Sequence, residues 1–382
     1  VTSPEQRVCH LSHSRGAADG GITTAVADLQ AAQAAHGLAV RWLAADAQPA
    51  WRRDRRLLGG LRGSLAPGEV LHVHGLWRSP TRAAAALAAS TNATPSGRAP
   101  LVIAPHGMLD PWAMRRSRWK KRLVWSLWEQ RALAGAGALQ ALCAAEADAI
   151  ASLGLGRPIA LIPNGVSLPQ QPAAALPPPP WADRIPAGEP VLLFLSRFHA
   201  KKGLEPLLAA WQQLQPELRR HGWWLALVGY GDDGALAARV AAAGPERCVV
   251  AGPCFGPEKL ACLEAASAFV LPSFSEGLPM AALEAMAHRL PCLLTPGCHL
   301  PEAIAAGAAL AVEPTQASLT AGLQELFALP PQRLEAMGEA GRALVQERFS
   351  WPRVAADTAA LYRWLNDGGP TPTCIQQTDA RA

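Results

Sequence analysis

Three features of the sequence predict two doubly wound α/β domains. Short apolar runs alternate with alanine-rich helical stretches along the whole chain, a pattern that yields buried parallel strands with crossover helices. At 382 residues the chain is longer than one such domain usually needs. A proline-rich stretch at 169–190 interrupts the alternation near the middle. Such a run cannot donate to helix or sheet ladders, so it reads as a stiff linker.

The elements follow in order. In the first domain, 1–168, strands are predicted at 7–11, 39–43, 70–74, 101–104 and 159–162, each a short run rich in Val, Ile, Leu or aromatic residues. In the second, 191–351, they are predicted at 191–195, 224–228, 248–250, 268–271 and 291–294. A last helix is expected over 352–366, with Pro352 suited to a first helical turn. The Gly-, Pro- and Thr-rich tail, 367–382, reads as disordered. In doubly wound sheets ligands lie beyond the carboxyl ends of the strands, so the loops after the strands are where chemistry is expected.

Composition narrows the function classes. Hydrophobic residues make up 50% and charged residues 17%, which excludes global disorder. The net charge of +5 is mild and no zinc-finger or RNA-binding signature is present, so no nucleic-acid partner is expected. The eight cysteines form no C-x-x-C pair and no H-E-x-x-H occurs, so neither a disulfide framework nor a metal site is expected. Reduced, buried thiols suit a cytoplasmic protein. Val1–Glu5 lacks the basic start and apolar stretch of a signal peptide, and no uncharged apolar run reaches spanning length. At most, attachment to a membrane face is expected.

Two loops of the second half concentrate the chemistry. Ser196-Arg197-Phe198-His199-Ala200-Lys201-Lys202-Gly203 follows a strand and precedes a helix. Arg197 and Lys202 can converge there on one anion, beside the N–H groups and positive dipole of the next helix. A diphosphate fits that chemistry, and so does a plain solvated loop. In Pro272-Ser273-Phe274-Ser275-Glu276-Gly277-Leu278-Pro279, Glu276 is expected where a helix N-terminus offers N–H groups, with Glu284 two turns further on. Carboxylates there can accept hydrogen bonds from sugar and ribose hydroxyls; helix capping would account for Glu276 equally. Gly229-Tyr230-Gly231-Asp232-Asp233-Gly234 fits G-x-G-x-x-G. It would put two aspartates in a pyrophosphate cradle, so a tight turn is the better reading.

Taken together, Asn164-Gly165-Val166, Ser196-Arg197 with Lys201-Lys202-Gly203, Val228-Gly229-Tyr230-Gly231 and Glu276-Gly277-Leu278-Pro279 with Glu284 resemble the group 1 retaining glycosyltransferases. Glu276 and Glu284 match that family's E-x-x-x-x-x-x-x-E motif. The resemblance implies the GT-B architecture: two Rossmann-like domains facing a cleft, with the C-terminal helix crossing back to the first. It implies retaining transfer of a hexosyl unit from a UDP- or GDP-sugar to a glycan or lipid-linked acceptor, with no metal and no other cofactor. By the same resemblance Arg197 and Lys202 neutralise the leaving diphosphate. Glu276 holds the sugar hydroxyls and Glu284 the ribose, while Asn164, Gly229, Gly231, Gly277 and Leu278 line the nucleotide. Gly20 and Gly21 approach the phosphates and acceptor, His106 contacts the transferred sugar, and His74 is a weaker candidate on the acceptor side. An epimerase or phosphorylase on the same architecture, an NAD-dependent oxidoreductase and an inactive nucleotide-binding scaffold stay open at this point.

One more stretch stands out. Over 111–128, Arg115, Arg116, Arg118, Lys120, Lys121 and Arg122 interleave with Trp112, Trp119, Trp125 and Trp128. A basic, tryptophan-bearing helix suits an anionic bilayer surface, and equally a packed tryptophan face with a solvated basic one.

Overall fold

The computed structural model describes residues 6–16, 21–45, 50–88, 99–110, 114, 118–169, 176–231, 234–243 and 245–376. The chain forms two compact units, Val1–Gly165 with Trp351–Ala382, and Val166–Ser350.

The first unit holds β1 (Arg7–Ser12), β2 (Ala39–Ala44), β3 (Val70–His74), β4 (Leu101–Ala104), β5 (Ala138–Ala141) and β6 (Ile159–Leu161). The second holds β7 (Val191–Leu195), β8 (Trp224–Val228), β9 (Cys248–Ala251), β10 (Ala268–Leu271), β11 (Cys292–Leu294) and β12 (Ala309–Ala311). A last strand, β13 (Ile375–Gln376), returns to the first unit.

The first sheet runs β13-β6-β5-β4-β3-β1-β2. Its strands are parallel except β13, which pairs antiparallel with β6. Alternation along the strands sorts side chains to two faces. Cys9, Leu11, Leu71, Val73 and Ile103 share one core cluster with Leu61, Ala84 and Leu133 from the helices on that side. Val8, Val70 and Val102 pack instead with Leu29 of the helix Gly21–Ala35 and with Val354, Leu361 and Tyr362 of the helix Trp351–Asp367. The last helix therefore completes the core of the first unit, although the whole second unit precedes it in sequence.

The second sheet, β12-β11-β10-β7-β8-β9, is entirely parallel. Its core is built on Phe194, Phe269 and Trp211, the last meeting Phe327 edge to face.

The structure corrects three expectations. The stretch 169–190 is not a linker throughout: Trp181 and Ile185 are buried in the second unit's core, and that unit begins at Val166. Proline blocks ladders, but it does not stop an indole from finding an apolar pocket. Residues 170–175 lie outside the described residues. The tail does not dissolve at Asp367, because Ile375–Gln376 adds a strand to the edge of the first sheet and Cys374 is buried. Two strands, β5 (Ala-Leu-Gln-Ala) and β12 (Ala-Leu-Ala), were not anticipated. Both are alanine-rich, and pairing with neighbours rather than intrinsic propensity makes them strands. All eight cysteines are free.

Candidate active site

The second sheet changes direction at β7. From it the chain runs outward through β8 and β9 on one side, and through β10, β11 and β12 on the other. The point between β7 and β10 is where a doubly wound sheet opens a ligand crevice beyond its strand ends. The loops after these two strands are the basic loop and the glutamate loop.

Those loops are bound to each other. Phe274 N donates to Lys201 O at 2.8 Å. Lys202 ends a short 3₁₀ turn, Ala200–Lys202, and Gly203 follows in the left-handed region at φ 70°. A Cβ on Gly203 would lie 1.9 Å from the carbonyl oxygen of Pro272, so both conformation and space require glycine. With the backbones this close, Lys202 Nζ donates to Glu276 Oε1 at 2.6 Å. The pair is nearly enclosed, with side-chain exposures of 12% and 8%. Arg197, five residues earlier on the same loop, is exposed.

Glu276 is held through one carboxylate oxygen and through its backbone N–H and C=O. Ser273 Oγ donates to its Oε1 at 2.5 Å and its backbone N–H donates to Gly297 O at 2.7 Å. His299 Nδ1, 2.8 Å from the Glu276 carbonyl oxygen, must carry the proton and donate. Glu276 does not sit on the helix N-terminus, as the sequence suggested: the helix Met280–Ala287 starts four residues later. Gly277 and Leu278 fill the connecting turn, and Leu278 rests on the apolar core. Glu284 lies within the helix, half-buried, and accepts from Lys259 Nζ at 2.7 Å. Lys259, Gly297 and His299 stand in no motif of the sequence, and Ser273 stands in the glutamate loop without an expected role. Ser273, three residues before Glu276, carried the one local signal.

On its other side the basic loop is joined to the turn after β8. Phe198 N donates to Tyr230 O at 2.6 Å. A Cβ on Gly229 would lie 1.9 Å from Ser196 O. The room at this glycine is taken by the neighbouring loop, so the G-x-G-x-x-G match reflects loop packing. Asp232 and Asp233 lie outside the described residues.

In the first unit the equivalent switch lies between β1 and β3. A cavity of about 90 Å³ opens there, lined by Ser12, Ser14, Thr23, His74, Arg78 and Met108 among others. Gly21 begins the adjoining helix; Gly20 lies outside the described residues. After β4 the backbone turns sharply through His106 and Gly107, at φ 54° and 75°. His tolerates this region better than most residues, yet it remains an uncommon conformation. Buried Glu146 braces the turn, accepting from Gly107 N at 2.6 Å and from Leu142 N at 2.8 Å. Its third position in the helix Ala144–Ala151 was the overlooked signal. Asn164, half-buried after β6, belongs to this unit rather than to the loops around Lys202.

His106 also ends a chain of histidines. His74 Nδ1 lies 2.9 Å from His106 Nε2, and His74 Nε2 lies 2.8 Å from His10 Nδ1. His10 and His72 are register partners, and His74 is on the same face, so three imidazoles crowd one layer. Burial pulls His10 and His106 down to about 4. It pulls His72 and His74 well below the usual histidine range, with neighbouring rings adding to the effect. All four are neutral at ordinary pH. Ligand nitrogens of His10, His72 and His74 lie within 4.8 Å of one another. The facing nitrogens of His10 and His74 are nonetheless closed on each other as donor and acceptor.

Two family models match the chain: glycosyl transferases group 1 over residues 189–328, and a glycosyl transferase 4-like domain over residues 52–165. Among curated relatives, alpha-maltose-1-phosphate synthase of Mycolicibacterium smegmatis is 27% identical over 194 residues, 47% of this chain and 49% of that protein. D-inositol 3-phosphate glycosyltransferase of an Arthrobacter species is 32% identical over 183 residues, 47% of this chain and 43% of that protein. The chain thus spans about half the length, or less, of the curated relatives it matches. Among solved structures, sucrose-phosphate synthase from Thermosynechococcus elongatus superposes with a TM-score of 0.72 at 23% identity, over 94% of this chain and 99% of that one. Anabaena HepE, determined with UDP and glucose, gives 0.67 at 16% identity over 94% and 99%. At these identities the likeness shows the fold, two doubly wound domains of the GT-B class. With one model matching each unit of that fold, the chain belongs to the group 1 glycosyltransferase family.

Proposed function

We propose that the protein moves a hexosyl unit from a UDP- or GDP-sugar to an acceptor hydroxyl, with retention at the anomeric carbon and without a metal. One observation carries this reading: Lys202 and Glu276, 74 residues apart, are brought within 2.6 Å at the switch point of the second sheet. A cation and a carboxylate side by side at strand ends suit a donor with anionic phosphates and a hydroxylated sugar. HepE, of the same fold, was solved with UDP and glucose.

In this reading the phosphates take Lys202 and Arg197, and Glu276 turns from Lys202 to the sugar hydroxyls. Glu284 accepts from the ribose. The bond from the anomeric carbon to the diphosphate breaks as the acceptor oxygen bonds to the same face. The acceptor's proton goes to the departing diphosphate, so no separate base is assigned. Each well-placed cation offsets developing phosphate charge by roughly 3 kcal/mol. In the first unit, His106 is assigned to the sugar, and the cavity lined by Ser12, Thr23 and Arg78 to the acceptor. Titration calorimetry with UDP and GDP tests the donor side. One of them binds the wild type, and Lys202→Ala weakens that binding at least about tenfold. Binding of NAD in place of either nucleotide overturns the reading. Product formed without any acceptor favours an epimerase, and an inverted product overturns retention.

The acceptor is proposed to be a glycan or lipid-linked sugar, met at an anionic membrane surface. The helix Arg118–Val124 continues into a π-helical turn, Trp125–Glu129. Trp125 and Trp128 pack against the core, whereas Trp119, Leu123 and Leu127 are 68%, 55% and 55% exposed at four-residue spacing. Lys120 and Arg122 are exposed beside them. An apolar stripe flanked by cations suits the headgroup boundary of an anionic bilayer. Trp112, Arg115 and Arg116 lie outside the described residues. Among the described residues no helix is long and apolar enough to cross a membrane. Co-sedimentation with anionic vesicles checks the proposal: Trp119→Ala with Leu123→Ala abolishes binding, and unchanged sedimentation ends it.

A further inference from the structure

The histidine chain does not stop at His10, and where it ends decides which nitrogen of His106 carries a proton. His10 Nε2 lies 2.7 Å from Gln33 Oε1. The Gln33 amide Nε2 faces two oxygens of the helix Trp351–Asp367: Thr358 Oγ1 at 3.0 Å and the Tyr362 hydroxyl at 3.1 Å. The Thr358 hydroxyl has one proton and donates it to Ala355 O at 3.0 Å. It can therefore only accept from Gln33, which fixes the amide orientation: NH₂ toward the last helix, oxygen toward His10.

The rest follows by conservation of protons. Gln33 Oε1 is an acceptor, so His10 carries its proton on Nε2 and, being neutral, offers a bare Nδ1. That Nδ1 must accept from His74 Nε2–H. His74 Nδ1 is then bare and accepts from His106 Nε2–H. His106, the partly exposed end of the chain, is left with an unprotonated Nδ1. A side branch obeys the same rule: Tyr362 accepts from Gln33 and donates to His72 Nδ1 at 2.6 Å, leaving the proton of His72 on Nε2. Burial holds the tyrosine hydroxyl protonated and all four imidazoles neutral, as the scheme needs.

We propose that the helix Trp351–Asp367 sets the tautomer of His106, acting through Thr358, Gln33, His10 and His74 as positioning residues. His106 thereby presents an acceptor nitrogen able to take a hydrogen bond from a hydroxyl. The link to transfer rests on the assignment of His106 to the donor sugar; the tautomer itself does not. A wrong imidazole tautomer is costly wherever a histidine meets substrate in one orientation.

The test is two-bond ¹H–¹⁵N correlation spectroscopy on the histidine-labelled full chain, with transfer measured in parallel. In the wild type, His10, His72, His74 and His106 each show the single Nε2–H form. Thr358→Val frees the Gln33 amide to turn and gives mixed tautomers at His106, with kcat/KM lower by about tenfold or more. Thr358→Ser keeps the hydroxyl and restores both. Gln33→Leu removes the acceptor directly and mixes the tautomers if Thr358→Val fails to fold. Protonation of His106 on Nδ1 in the wild type, or one unchanged Nε2–H form in both Thr358→Val and Gln33→Leu, overturns the proposal. Mixed tautomers with undiminished transfer would leave the clamp standing and remove His106 from the transfer site.

Discussion

At the strand ends of the second unit the polar groups are ionised and paired; at those of the first they are neutral and linked. Lys202 and Glu276 meet as cation and carboxylate, with Ser273 also donating to the carboxylate and Gly297 and His299 holding the Glu276 main chain. His10, His74 and His106 share protons along a line in which no member carries charge. Both arrangements lie at the point where a doubly wound sheet reverses direction. A charged pair at such a point can be opened by a ligand that brings its own charges. A neutral chain cannot be opened that way, and it fixes direction instead: which atom donates and which accepts.

The strongest test of this contrast breaks the charged pair. Glu276→Ala leaves the Lys202 ammonium nearly enclosed without its carboxylate, which costs about 3–5 kcal/mol of stability. Transfer falls by at least about 10²-fold. The double change Lys202→Met with Glu276→Leu recovers most of the stability and none of the transfer. Chemical denaturation and product assay read the two effects separately, and stability unchanged in Glu276→Ala would show that the pair bears no such cost.

Acid should discriminate between the units next. His10, His72, His74 and His106 bind protons more weakly when folded than when unfolded. Between about 6.5 and 4 the unfolded chain therefore binds more protons, and stability is lost as pH falls through that window. In the second unit, burial also lowers His288. Hydrogen exchange at falling pH should expose the amides of β1 and β3 before those of β7 and β10. Simultaneous loss in both would erase the distinction.

A smaller effect of opposite slope sharpens the same comparison. Glu129, buried in the first unit, accepts from Thr81 Oγ1 and Trp77 N, yet burial pushes its carboxyl up to about 7. It binds its proton more tightly when folded, so its contribution is full below about 4.5 and is lost as pH rises through 7. Glu129→Gln should raise Tm above pH 7, with the gain vanishing toward pH 4.5 in thermal scans. A gain independent of pH would place its origin elsewhere.

What could be read from the sequence followed the chemistry's locality. The loop 196–203 keeps its arginine, lysines and glycine within eight residues, and Glu276 and Glu284 share one loop and helix. Patterns of that length survive without coordinates. The histidine chain is spread over β1, β3 and the turn after β4, with its anchors on two helices 325 residues apart. His10 and His72 therefore look like isolated core residues, and His74 and His106 like separate candidates. Glu146 and His299 act on backbone groups of distant segments, Gly107 N–H and the Glu276 carbonyl, and those contacts exist only in the folded chain.

By itself the sequence determined the alternation of strand and helix, the division into two doubly wound halves and the loops that bear opposite charges. Hydrophobic periodicity and glycine placement are properties of short windows of chain, and they suffice for these. The tertiary structure alone decided that Trp181 joins a core, that Lys202 closes on Glu276, and that Thr358 reaches Gln33. Those outcomes depend on strand order and on the last helix packing against the first unit. A proton's position in a buried chain is set by every partner at once, and such partners become neighbours only when the chain has folded.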